Sequence, residues 1–309
     1  MRPVEERFNP HRNIRSRTVT SKYIIVTEGY RTEQIYFDAL RDNRSLAGIS
    51  SLIEIVLLQR EVIDAGLSHP TTLLNLLDEY MRCVRSGRYS VDIFLEVACN
   101  STGTLSDVSR ADRSMSLYRD KVRSGSKKHT DESGFVTDIP SMIETCIDAA
   151  LETFRCRPQI DLPELIDYRP EVDKVCVIVD RDRDNRDASV MDDFVRRCRR
   201  CGYRPYISNP CFEVWLMMHF EEFDLIDRKE LLRNPMISNK RFSEVELDRI
   251  VRNVNPINHY SKTDFDPGMF MHRTDEAISR SMGSCHNVNH LKGEMGTNLG
   301  ELLNEMHEG

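Results

Sequence analysis

The chain has 309 residues, 39% of them hydrophobic and 30% charged, a soluble globular composition with room for one large or two modest domains and a sizeable core. A formal charge of −7 excludes nucleic-acid binding through overall charge, though not through a local basic surface or a bridging metal, both of which act at short range. No run of 18 apolar residues marks a membrane span, the polar start MRPVEERFNPHRNIRSR does not read as a signal peptide, and nine cysteines without a framework suit free thiols in a reducing compartment, so a cytoplasmic protein is expected.

Residues 1–20 read as a basic arm, with Arg2, Arg7, Arg12, Arg15 and Arg17 against Glu5 and Glu6, of the kind that stays solvated. Tyr23 to Thr27 read as a buried strand, after which Glu28-Gly29 interrupts and an amphipathic helix begins with Ile35, Tyr36 and Leu40 inward. A second buried strand is expected in 50–59, SSLIEIVLLQ, and a helix over 71–85, where Leu73, Leu74, Leu77, Tyr80, Met81 and Val84 recur at helical spacing. Residues 88–169 differ in texture and read as an insertion, partly flexible. It holds a strand candidate at 90–100, a polar Ser/Lys/Arg-rich stretch at 101–134 and a helix at 138–157.

Beyond the insertion, VDKVCVIVD (172–180) is a third buried strand, ASVMDDFVRRCRRCG (188–202) a helix and YRPYIS (203–208) a short strand. Asn209-Pro210 then reads as the N-cap and first position of a buried helix within 208–223. Strand–helix alternation over 21–87 and 170–223 predicts an α/β core, a mainly parallel sheet flanked by helices on both faces. Residues 224–309 are expected to be mainly helical, with a loop at 253–268.

Two carboxylate sites fall where open α/β sheets hold ligands, at the carboxyl ends of strands: Glu28 after the first, Asp180 at the end of the third, with Asp182 two residues on. Two residues is the strand period, so Asp180 and Asp182 can point the same way, and neighbouring strands would bring both to Glu28. Three crowded carboxylates repel one another, which a hard divalent cation, Mg²⁺ or Mn²⁺, would relieve. Each also has a plainer reading: Glu28 as a turn residue, RDRDNRD as a solvated and self-paired loop, and His219 as a hydrogen-bonded core histidine. Glu213, in the first turn of an apolar helix, asks for a partner. Zinc is not expected from Cys198, Cys201, Cys211, Cys285, His286 and His290, because no paired CxxC spacing exists, and no phosphate-binding G-x-x-x-x-G-K-[ST] loop is present.

The combination of EGYRTEQIYF (28–37), VDRDRD (179–184) and SNPCFEVWLMMHFE (208–221) resembles the RloB-like family of Toprim-domain proteins. HYSKTD (259–264) and TNLGELLNEM (297–306) resemble its basic-loop and closing-helix segments more loosely. The resemblance implies a Toprim-like, Rossmann-like core in which Glu28 is the glutamate, and Asp180 and Asp182 the aspartate pair, of an acidic site for Mg²⁺ or Mn²⁺. It further implies a metal-dependent nuclease acting on DNA or RNA, an effector in phage defence or restriction, with Glu213 completing the catalytic set. Arg31, Arg181 and Lys262 are candidates for phosphate contacts, and Thr32, Glu33 and His219 for supporting roles. A defence-system partner would dock through 88–169, and a homo-oligomer is a further expectation. The alternative is a non-catalytic sensor or regulatory module that binds a nucleotide or a protein.

Overall fold

The structure, a computed structural model, describes residues 21–29, 31–58, 69–86, 165–182 and 187–308. Contacts divide the chain into two compact units, Met1–Leu58 with Arg169–Gly309, and Gln59–Tyr168. The first elements are β1 (Ser21–Thr27), α1 (Thr32–Asp42), β2 (Ile53–Leu57) and α2 (Pro70–Ser86). Further along the chain come β3 (Lys174–Asp180), α3 (Ala188–Cys201), β4 (Arg204–Asn209) and a short α4 (Glu213–Met217). The remainder comprises α5 (Arg228–Arg233), the hairpin β5 (Met236–Ile237) and β6 (Lys240–Arg241), and α6 (Phe242–Val254). A second hairpin follows, β7 (Tyr260–Ser261) and β8 (Asp264–Phe265), then α7 (Gly268–Met271), α8 (Thr274–Met282), β9 (Gly296–Thr297) and α9 (Leu299–Glu308).

In the first unit the strand order is β2-β1-β3-β4-β9. The first four are mutually parallel, and β9 closes the β4 edge antiparallel through Ser208↔Thr297 and Asn209↔Gly296. The expected α/β fold with a mainly parallel sheet is therefore present. Alternate residues serve opposite faces. Tyr23 and Ile25 of β1, Cys176 and Ile178 of β3, and Tyr206 of β4 join Tyr36, Phe37 and Leu40 of α1 in one core with Val214–Met217, Leu247 and Ile250 of α6, and Leu302 and Leu303 of α9. Their neighbours Ile24, Val26, Val175, Val177 and Val179 are equally buried but outside that core. The unbroken apolar runs of β1 and β3 follow from this two-sided burial. Helix α3, capped by the Asp187 carboxylate on the Ala188 amide and ended by Gly202 at φ 76°, buries Met191, Phe194, Val195 and Cys198.

The Asn209-Pro210 signal means something different from the expected cap. Asn209 is the last residue of β4, and its peptide bond to Pro210 is cis. Its side-chain amide donates to the carbonyls of Leu291 (2.6 Å) and Glu294 (2.8 Å), which ties the closing segment to the sheet and leaves it no role at a helix start. The helix begins instead at Glu213 and lasts five residues, followed by a 3₁₀ turn at Glu221–Leu225. Gly296 is required at the closing edge, because a Cβ there would lie 2.0 Å from the Cys285 carbonyl oxygen. The loop expected at 253–268 contains the β7–β8 hairpin.

The second unit begins at Gln59 and so includes α2, which strand–helix alternation places with the sheet. Its helix buries Leu73, Leu74, Leu77, Tyr80 and Met81, and the Tyr80 hydroxyl accepts the Ile166 amide at 3.4 Å. The basic arm at 1–20, the expected strand at 90–100, the polar stretch at 101–134 and the helix at 138–157 lie outside the described residues.

Candidate functional site

Strand order turns between β1 and β3: from β1 the chain proceeds to β2 on one side, while β3 lies on the other. At such a switch point the helices that follow the two strands diverge, leaving a crevice beyond their carboxyl ends. Glu28 stands there. Its amide extends the ladder by donating to the Ile178 carbonyl at 2.9 Å, and its Oε2 accepts the amide of Asp180 at 3.3 Å. The side chain is buried against the end of β3.

Glu33 enters from the first turn of α1, its Oε1 accepting the Gly29 amide at 3.1 Å. Gly29 makes this possible, because a Cβ at that position would lie 1.9 Å from Glu33 Oε2. Glu213, 2% exposed at the start of α4, accepts the Tyr260 hydroxyl at 3.1 Å and lies 3.6 Å from Lys262 Nζ. Lys262 also reaches Glu244 at 3.4 Å, and its carbonyl accepts the Thr32 hydroxyl at 3.0 Å, which fastens the β7–β8 turn to the start of α1. Cys211, two residues before Glu213, packs its thiol on Ser243 (3.2 Å) and Asn234 (3.6 Å), fixing the approach to α4.

The carboxylates feel one another. Burial drives the Asp180 carboxyl well above its usual pKa, and Glu33, Glu213 and Glu28 add repulsion that Lys262 only partly opposes. Burial likewise pushes Glu33 up to about 7, against the pull of its backbone hydrogen bond and with Glu213 and Glu28 repelling its charged form. Burial works against the Lys262 ammonium, yet Glu213 and Glu244 outweigh it and hold the group above the ordinary lysine range. The crevice thus gathers four acids, Glu28, Glu33, Asp180 and Glu213, with the Lys262 ammonium among them.

The other sequence candidates fall into different places. Asp182 lies past the end of β3 with φ 37°, its amide donating to the Pro210 carbonyl, so the strand period no longer aligns it with Asp180. Arg181 is 5% exposed and gives its Nε to the Lys292 carbonyl at 2.9 Å, a strut between β3 and the closing segment. Arg31 precedes α1 at the surface. His219 is held in the core, with Nε2 3.2 Å from the Tyr36 hydroxyl and Nδ1 facing the Trp215 and Leu216 carbonyls, and burial lowers its pKa to about 3. It stacks edge-on with Trp215 and Phe270 and plays a packing part. Sequence reasoning missed Tyr260 and Glu244. Tyr260 carried a usable signal, two residues before Lys262 in a segment already singled out.

The donor set suits a hard divalent cation in kind: buried carboxylates close together, with burial first and mutual repulsion second raising the pKa of Asp180 and Glu33. Among the described residues, however, no three His, Cys, Asp or Glu side chains are placed as ligands to one ion.

Comparison with known proteins yields one family model, described as RloB-like protein, that matches residues 23–306. No curated protein and no solved structure matches. The match takes in both strands that carry the acids, the Glu213 helix, the Lys262 hairpin and most of the closing helix, and by it the chain belongs to the RloB-like protein family.

Proposed function

We propose that this protein is a Toprim-type, metal-dependent phosphodiesterase that cuts DNA or RNA. The observation that carries this reading is the meeting of Glu28, Glu33, Asp180 and Glu213 with Lys262 at the switch point of the sheet. Glu28, Asp180 and Asp182 would hold Mg²⁺ or Mn²⁺, which when bound supplies charge neutralisation at the phosphoryl oxygens and a more acidic water. Glu33, titrating near 7, is suited to take up or release a proton at its carboxylate. Lys262, half exposed at the mouth and steadied by Glu213 and Glu244, offers its ammonium to a phosphate. Tyr260 fixes Glu213, and Glu213 in turn fixes Lys262.

An effector role in phage defence is part of the proposal and rests only on what the motif resemblance implies. The alternative, a non-catalytic module that binds a nucleotide or a protein, draws on one feature: Glu213 is already engaged by Tyr260 and Lys262. The discriminating experiment incubates the purified full chain with labelled single-stranded DNA, duplex DNA, RNA and tRNA, with Mg²⁺, Mn²⁺ or chelator. Cation-dependent cleavage of any of them supports the phosphodiesterase. Saturable binding without cleavage supports the module.

A further inference from the structure

A cleft of about 520 Å³, lined by Arg31, Gln34, Ile35, Asp38 and Thr263, lies alongside α1. Gln34, Ile35 and Asp38 form one stripe of α1, with Arg31 immediately before the helix, beside the stripe that buries Thr32, Glu33, Tyr36 and Phe37. Thr263 supplies the facing wall from the β7–β8 turn. The hydrogen bond from Thr32 to the Lys262 carbonyl joins the sequence neighbours of Arg31 and Thr263, so this end of the cleft adjoins the acidic crevice across a single bonded partition. From Arg31 to Asp38 this side of the cleft runs about 10 Å at 1.5 Å per residue.

We infer that this cleft is a nucleoside subsite, holding one base of a single-stranded nucleic acid beside the phosphate presented to the crevice. The inference rests on the proposed phosphodiesterase for its place in a reaction, but not for the binding itself. Its chemistry is ordered along the helix. Arg31 stands at the end where Thr32 bonds the Lys262 carbonyl, and its guanidinium suits a phosphate. Ile35, half buried against the core, offers an apolar floor on which the face of a base can rest. Between Arg31 and Ile35 in sequence, the Gln34 amide carries a donor and an acceptor that can read a base edge, and Asp38, one turn beyond Gln34 and steadied by Arg41 at 2.9 Å, adds acceptors. The volume is on the scale of small-molecule sites and short of a duplex, which selects an unpaired nucleotide.

The test uses full-length Glu28→Gln protein in Mg²⁺, so that bound strands stay intact, with fluorescence anisotropy on labelled homopolymers of about eight nucleotides. Heparin serves as a baseless polyanion. One base should bind best, and Gln34→Ala should shrink the ratio between best and worst base about 3- to 10-fold, the worth of one or two hydrogen bonds. Arg31→Ala should weaken all homopolymers alike and lower the salt slope by about one. Asn304→Ala, on the exposed face of α9, should change nothing. No oligonucleotide binding, base ratios untouched by Gln34→Ala, or equal losses for heparin and every homopolymer on Gln34→Ala would each overturn the inference. If the binding pattern holds while wild-type protein cuts no nucleic acid, the subsite stands and the phosphodiesterase reading falls. Cleavage by wild type with ratios insensitive to Gln34 gives the converse.

Discussion

Replacing Glu33 with glutamine should convert a pH-sensitive fold into a less sensitive one. Burial lifts this carboxyl from 4.5 to about 7, with Glu213 and Glu28 adding repulsion. A group whose folded pKa is raised binds its proton more tightly in the folded state, so its stabilisation is full below the unfolded pKa and disappears as pH rises through the folded value. About 2.5 units at about 1.36 kcal/mol each gives roughly 3 kcal/mol lost between about pH 4.5 and 8 in the metal-free protein. Asp180, raised in the same direction, adds to the decline. Glutamine keeps the acceptor for the Gly29 amide without the charge, so Glu33→Gln should match wild type near pH 4.5 and exceed it by up to about 3 kcal/mol at pH 8. Trp215, the only tryptophan and fully buried in the sheet-bearing unit, reports its unfolding by fluorescence. Urea titrations in chelator should show midpoints about 1–2 M apart at pH 8, converging towards pH 4.5. Midpoints that run parallel across this range would refute the placement of Glu33 among repelling acids.

Gly29→Ala should expel the Glu33 carboxylate, since the new Cβ would lie 1.9 Å from its Oε2, and the pH dependence above should shrink in a protein that stays folded by circular dichroism. Tyr260→Phe removes the hydroxyl that Glu213 accepts at 3.1 Å in a buried setting, and should cost about 1–2 kcal/mol in urea titrations, the usual cost of losing a buried hydrogen bond. Asp180→Asn and Asp182→Asn should each weaken Mn²⁺ binding tenfold or more by calorimetry, while Asp180→Asn raises the melting temperature of the metal-free protein by relieving repulsion; undiminished Mn²⁺ affinity in both would remove them from the metal site.

What the sequence made legible was what long apolar runs and strand ends determine. β1 and β3 are buried on both faces, so their residues are apolar without alternation, and the acids at their ends stand out against that background. The carboxyl-end rule then sufficed to bring Glu28 and Asp180 together. Where local signals are shared between structures, the reading went astray. Asn-Pro suits both a helix start and a strand end, and only the distant Leu291 and Glu294 carbonyls decide between them. The positive φ of Asp182 similarly escapes a period-two argument. β7, β8 and β9 are two residues each, too short for any periodicity, which hid the Tyr260–Glu213–Lys262 arrangement and the closing of the sheet. Glu33 lay in a motif already noted, but its entry into the crevice depends on Gly29 having no side chain, a steric fact visible only in three dimensions.

A metal-dependent phosphodiesterase depends most on Glu28, one residue beyond β1 and bonded to the end of β3. Glu28→Gln preserves size and the acceptor for the Asp180 amide but removes the charge and basicity that cation binding and proton transfer require. The most direct measurement is the Mg²⁺- or Mn²⁺-dependent cleavage rate of purified wild-type and Glu28→Gln protein on the nucleic acid that wild type cuts, with circular dichroism and melting recorded alongside. The Glu28→Gln rate should be lower by at least about two orders of magnitude in a protein folded like wild type. Near-equal rates would contradict it and return Glu28 to the role of a turn residue.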